Sequence, residues 1–173
     1  RRGFKEFDLK SNHKTIFLFG GSQGSSYLNE IMNQIARNIA NAEIQVIWQT
    51  GDIEFSKYKD LNTDKIKIIP FINNMPDAYA ISDLIICRSG ALTLAEITVC
   101  GKPSILIPYP HAAGDHQTKN AQALVDANAS RLHHQKTLNA KDLQHSIINL
   151  IHNDNKLKTM SLASKQLGRP NAT

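Results

Sequence analysis

Cysteine is scarce. The 173 residues hold two, Cys87 and Cys100, with no Cys-x-x-Cys and no paired Cys/His clusters, which argues against a structural zinc site. Both lie in apolar sequence and read as reduced core thiols of a cytosolic protein. Long apolar runs are also missing. None reaches the roughly 18 residues that a bilayer crossing takes, and the longest, such as residues 44–48 and 105–107, have strand length. The opening Arg1-Arg2-Gly3 and the polar segment behind it do not have the make-up of a secretory signal. Arg1 stands where a Met would open a gene product, so a piece of a longer protein or a processed chain is expected.

Basic clustering is absent too. The net charge is +5, but the lysines are scattered, and neither a basic stripe nor an aromatic–basic platform appears. Nucleic acid is therefore not the expected partner. The charge remains open to an anionic lipid, a phosphorylated substrate or a solubilising surface. With 41% hydrophobic and 20% charged residues, the composition is that of a globular domain with a real core.

What is present alternates. Residues 15–19, 44–48, 65–69, 84–87 and 104–107 read as buried strands, and 131–133 as a short edge strand. Leu28, Ile31, Met32, Ile35 and Ile39 repeat at helical spacing. Further helices are expected over residues 75–82, 91–99, 116–127, 140–152 and 155–167. This order predicts an α/β fold, a Rossmann-like parallel sheet with helices on both faces. Ligands of such sheets bind beyond the carboxyl ends of the strands, which singles out four loops.

The first loop is Gly20-Gly21-Ser22-Gln23-Gly24, between a strand and a helix. Glycines let backbone approach a ligand, and the helix start offers free N–H groups, a site suited to a diphosphate. A tight turn kept for steric reasons explains the same glycines. A P-loop needs Gly-Lys-Ser/Thr, and here Gly24-Ser25-Ser26 has no lysine. A dinucleotide fingerprint needs differently spaced glycines and an acid after the second strand, where Trp48-Gln49-Thr50 stands instead.

The second loop presents Phe71, Ile72 and Met75, either covering a nucleobase or simply belonging to the core. The third, Arg88-Ser89-Gly90-Ala91-Leu92-Thr93-Leu94-Ala95-Glu96, is a second strand–glycine–helix start. Glu96 falls in an otherwise apolar helix, where a carboxylate needs a partner. A sugar diol suits it, and so does an ion pair with Arg88 or exposure to solvent. The fourth loop holds Asp115-His116-Gln117 and Asn120, which could read sugar hydroxyls, with N-capping by Asp115 equally open. His133-His134 has no ligand spacing and reads as surface.

In this order, Phe19-Gly20-Gly21-Ser22-Gln23-Gly24, Phe71-Ile72-x-x-Met75, Arg88-Ser89-Gly90-Ala91-Leu92-Thr93-x-x-Glu96 and Asp115-His116-Gln117-x-x-Asn120-Ala121 resemble a known family. It is the C-terminal domain of the MurG-type UDP-N-acetylglucosamine:undecaprenyl-diphospho-muramoyl-pentapeptide N-acetylglucosaminyltransferases. The resemblance covers residues 15–173, with residues 1–14 expected as an interdomain linker. It implies one half of the GT-B fold, two Rossmann-like domains facing a cleft, with this half binding UDP-GlcNAc.

By that resemblance, the backbone at Ile72 recognises uracil and Glu96 holds the ribose hydroxyls. Ser22 and the amides of Ala91, Leu92 and Thr93 hold the diphosphate, with Leu94 and Ala95 completing the stretch. Gln117 binds the GlcNAc, while His116 departs from the two glutamines usual there. Gly20, Gly21, Gln23, Gly24, Met75, Arg88, Ser89, Gly90 and Asn120 support the site. No catalytic residue, cofactor or metal is implied in this half, and no Asp-x-Asp cluster is present to carry a metal. The implied reaction inverts the donor and joins GlcNAc to O4 of the muramoyl sugar of lipid I, giving lipid II on the inner face of the bacterial cell membrane. Acceptor, catalytic base and membrane contacts belong to the N-terminal domain, so this half alone is expected to bind UDP-GlcNAc weakly and to transfer nothing. The last residues, 168–173, resemble the segment before the family's final helix. A stand-alone donor-binding subunit of a split glycosyltransferase and a UDP-GlcNAc 2-epimerase-like domain are the alternatives, with a different lipid-linked acceptor also open.

Overall fold

The computed structural model describes residues 2–21 and 23–168. Six strands, β1 (Lys14–Phe19), β2 (Ile44–Gln49), β3 (Ile66–Ile69), β4 (Leu84–Cys87), β5 (Ser104–Leu106) and β6 (Ser130–Leu132), form one sheet in the order β3-β2-β1-β4-β5-β6. Every pairing is parallel. The strand order reverses between β1 and β4, and the loops leaving those two strands part to open a crevice.

Alternation along the strands divides the core in two. Ile16 and Leu18 of β1, Val46 and Trp48 of β2, and Leu84 and Ile86 of β4 face one side. Phe17 and Phe19, Ile47, and Ile85 and Cys87 face the other. This is the two-residue period of a strand buried on both faces. Helices α2 (Ser26–Asn41) and α7 (Ala140–Ile151) cover the first side with Leu28, Met32, Ile35, Leu143, Ile147 and Leu150, all buried. Helices α4 (Met75–Ile81), α5 (Ala91–Val99) and α6 (His116–Asp126) cover the second through Tyr79, Ile81, Leu94, Ile97, Ala121 and Leu124. The expected α/β architecture is the observed one.

The structure adds several details. Within residues 1–14, expected as an interdomain linker, Arg2–Glu6 forms helix α1 against α4, and Phe7 and Leu9 are buried in the second core. A Cβ on Gly3 would come within 2.5 Å of the Asp77 carbonyl oxygen, so the glycine permits the close packing. The short helix α3 (Phe55–Tyr58) and the 3-10 turn Lys59–Leu61 after it were not expected. They carry Tyr58 onto Trp48, ring centroids 5.1 Å apart. Helix α8 (Asp154–Leu167) closes the described chain, and the terminal motif at residues 169–173 lies outside it. Cys87 is buried as expected, whereas Cys100 is exposed, because it caps the end of α5 rather than facing the core.

Candidate functional site

The first loop runs from β1 into α2. Gly21 and Gly24 take φ of 100° and 82°, and the Gly24 amide donates to the Gly21 carbonyl at 3.1 Å, closing a tight turn. A Cβ on Gly24 would meet the Thr50 carbonyl, so the loop packs backbone to backbone against the end of β2. Ser25 caps α2, its Oγ accepting from the Leu28 amide at 3.2 Å. Ser22 lies outside the described residues.

The second helix start is at α5. Gly90 is its N-cap and offers no side-chain acceptor, while the first helical bond runs from the Leu94 amide to the Gly90 carbonyl at 3.1 Å. The Ala91, Leu92 and Thr93 amides therefore have no partner within the helix. Beside them, Arg88 donates to the carbonyls of Ile107 and Pro108 at 3.1 and 3.3 Å and to Ser25 Oγ at 3.0 Å. Its guanidinium lies 5.7 Å from the Tyr27 ring centroid and 5.6 Å from that of Tyr109. These hydrogen-bond partners are neutral, and burial pulls the Arg88 pKa down while leaving the group charged. Of the alternatives for Glu96, the ion pair with Arg88 is not formed. Glu96 is exposed, and its Oε2 accepts from the Tyr79 hydroxyl at 2.8 Å.

Helix α6 clamps this second turn. Gln117 Oε1 accepts from the Ser89 amide at 3.2 Å and from the Tyr109 amide at 2.9 Å. Ser89 Oγ donates to the Gln117 carbonyl at 2.7 Å, and Asn120 Nδ2 to the Ser89 carbonyl at 3.1 Å. The two N–H donors fix the orientation of the Gln117 amide, which leaves Nε2 as its free end near Gly90. Asp115 makes no cap to the α6 backbone. It sits at φ 55° and its Oδ1 accepts from Thr118 Oγ1 at 2.7 Å. His116 is exposed.

These elements enclose a cavity of about 610 Å³ at the crevice. Of the residues expected at the site, Gly20, Gly21, Gln23, Gly24, Arg88, Gly90, Thr93 and Gln117 line it. Ile72, Met75, Ser89, Ala91, Leu92, Leu94, Ala95, Glu96, His116 and Asn120 do not. Leu94 points into the second core and Ser89 is fully buried, whereas Leu92 is 76% exposed. Ile72 is buried, and its amide donates to Gln49 Oε1 at 2.8 Å. Gln49 also donates to the Gly21 carbonyl at 3.3 Å, so one buried amide ties the second loop to the first. Among the described residues no group of three His, Cys, Asp or Glu side chains could hold a metal ion, and no helix is long and apolar enough to cross a membrane.

The model of the glycosyltransferase family 28 C-terminal domain matches residues 15–173. The chain belongs to this family. It is 38% identical to the UDP-N-acetylglucosamine--N-acetylmuramyl-(pentapeptide) pyrophosphoryl-undecaprenol N-acetylglucosamine transferase of Bacillus cytotoxicus, over 99% of this chain and 48% of that protein. It is 39% identical to the protein of the same name in Chlorobium phaeobacteroides, over 96% and 46%. The crystal structure of Acinetobacter baumannii MurG superposes with a TM-score of 0.79 at 31% identity, covering 93% of this chain and 49% of that one. The chain thus spans about half the length of the relatives it matches.

Ser25, Tyr27, Tyr109 and Gln135 also line the cavity of this family 28 domain and were not singled out from sequence. For Ser25 a signal existed, a serine just ahead of a helical apolar repeat. The aromatic and glutamine positions belong to no periodic pattern. His133, read as surface, is half-buried, with Nε2 3.1 Å from Ser146 Oγ.

Proposed function

We propose that the domain holds UDP-GlcNAc in this crevice and serves as the donor half of an inverting transferase that moves GlcNAc to the muramoyl O4 of lipid I. The observation that carries the reading is Arg88, a part-buried guanidinium whose hydrogen bonds go to neutral groups, standing between two helix starts on one cavity. A fixed cation and free helix-start amides are complementary to a diphosphate. The leaving UDP gains negative charge as the glycosidic bond breaks. Groups already aimed at that charge stabilise the transition state more than the ground state.

The remaining roles follow from position. Thr93 and Glu96 lie three apart on α5 and share a face, which carries the site from the diphosphate toward a ribose. Tyr79 holds one Glu96 oxygen and leaves the other for a diol. With the Ile72 amide held by Gln49, its carbonyl is the group left to accept from a uracil imide. The free Nε2 of Gln117 donates to the sugar. The acceptor, the catalytic base and contact with the inner face of the cell membrane belong, in this reading, to the rest of the enzyme. No cofactor takes part.

Calorimetry with UDP-GlcNAc, UDP-GalNAc and UDP, on the wild type and on Glu96→Ala, tests the reading. UDP binding is expected, weakened about tenfold in Glu96→Ala by loss of a charged hydrogen-bond acceptor. Unchanged UDP affinity in Glu96→Ala contradicts the ribose role.

A further inference from the structure

We infer that Tyr27 and Tyr109 are positioning residues for the donor: their rings hold the Arg88 guanidinium on the cavity wall by cation–π contact and take the place of a counter-ion. The inference rests on the donor reading above and adds two residues to it. All three side chains line the cavity. The guanidinium carbon lies over both rings, 5.7 Å from the Tyr27 centroid and 5.6 Å from that of Tyr109. Among the described residues no carboxylate forms an ion pair with Arg88. A part-buried cation needs compensation. A carboxylate would supply it and cancel the charge that a diphosphate is to meet. A ring face attracts the cation through its quadrupole and leaves the full charge in place.

Both rings are themselves held. Tyr27 stands in the first turn of α2, and its hydroxyl lies 3.3 Å from the Gln135 carbonyl and 3.4 Å from that of Leu138. Tyr109 is flanked by Pro108 and Pro110, and its amide donates to Gln117 Oε1 at 2.9 Å. Its ring meets that of His111 edge-on, centroids 5.6 Å apart. Tyr109 is 44% exposed and belongs to neither core, so core packing does not explain an aromatic there. The guanidinium spends three N–H donors on the Ile107 and Pro108 carbonyls and Ser25 Oγ, which leaves Nε–H and one Nη2 N–H for a ligand. Removing a ring loosens the group that carries them, and the cost of ordering it then falls on binding.

A double-mutant cycle, read by amide chemical-shift titration with UDP, tests this. Tyr27→Leu and Tyr109→Leu are each expected to weaken UDP about two- to tenfold, the cost of ordering one long side chain. Tyr109→Phe, which keeps the ring, should recover most of that loss. In an Arg88→Met background the two changes to Leu should cost nothing further, because no cation is left to hold. The Arg88 Nε–H resonance, assigned by its absence in Arg88→Met, should be displaced by ring current in the wild type. It should move toward the free-arginine position in Tyr27→Leu and Tyr109→Leu. Full losses in the Arg88→Met background, no loss where Arg88 is present, or a Tyr109→Phe as weak as Tyr109→Leu overturn the assignment. So does an Nε–H resonance that stays in place when a ring is removed. A wild type that binds no UDP contradicts the donor reading itself, and the role in donor binding falls with it, while the resonance still shows whether the rings hold the cation. If Tyr27→Leu melts far below the wild type, the half-exposed Tyr109 carries the comparison.

Discussion

Arg88 Nη2 lies 3.0 Å from Ser25 Oγ, so the cation of the loop after β4 grips the residue that caps the helix after β1. One serine hydroxyl therefore serves two ends, accepting from both the Leu28 amide and the guanidinium. The two helix starts form one unit at the point where strand order reverses. Removing the Arg88 charge should abolish most diphosphate recognition. Arg88→Met is expected to weaken UDP about 10- to 100-fold by calorimetry, and to flatten the fall of affinity with added salt.

Ser25 separates stability from binding. Ser25→Ala loses the cap and should lower Tm by about 2–4 °C in a domain of this size. Ser25→Asp keeps a capping oxygen, so thermal melts should show little loss. Its carboxylate neutralises Arg88, and calorimetry should show UDP weakened despite the retained fold.

The two positive-φ glycines of the first loop, Gly21 and Gly24, should differ. Gly21 has nothing within 4 Å of an added Cβ, and Gly21→Ala meets only the conformational penalty, about 1 kcal/mol. At Gly24 the same change adds a collision with the Thr50 carbonyl, and denaturant unfolding should show a loss of about 2–4 kcal/mol.

These contrasts mark where sequence runs out. Ile16 and Leu18 against Phe17 and Phe19 divide the core by simple alternation, and the buried positions of α2 are those of its apolar repeat. Period carries no information about hydrogen-bond direction. Gln117 reads as a ligand contact in sequence, and in the fold its oxygen is spent on the Ser89 and Tyr109 amides. Capping of α6 by Asp115, one of two readings open in the sequence, is not formed: its backbone is left-handed, and its carboxylate accepts from Thr118. Helix α1 is five residues long, too short for a repeat to register. Gln49, Tyr109 and Gln135 reach the site through register and loop packing, which a single chain read linearly does not display.

His133 gives the domain a pH response. Burial, helped by Arg131 and His134 and opposed by Asp142, holds its pKa below the ordinary value. The unfolded chain therefore takes up the proton first as pH falls. Stability is full above the unfolded pKa of about 6.5 and declines as pH drops from there toward the lower folded value. Thermal melts at neutral and mildly acidic pH should show a smaller acid loss in His133→Gln, which keeps a hydrogen-bonding group beside Ser146, than in the wild type.

Amide chemical-shift mapping with UDP-GlcNAc tests the central claim most directly. The account predicts that the largest shifts fall on Gly20, Gly21, Gly24, Gly90, Ala91, Leu92 and Thr93, the two helix starts together. Shifts confined to one start, or centred on the far cavity around Lys14, Lys102 and Asp154, would contradict it.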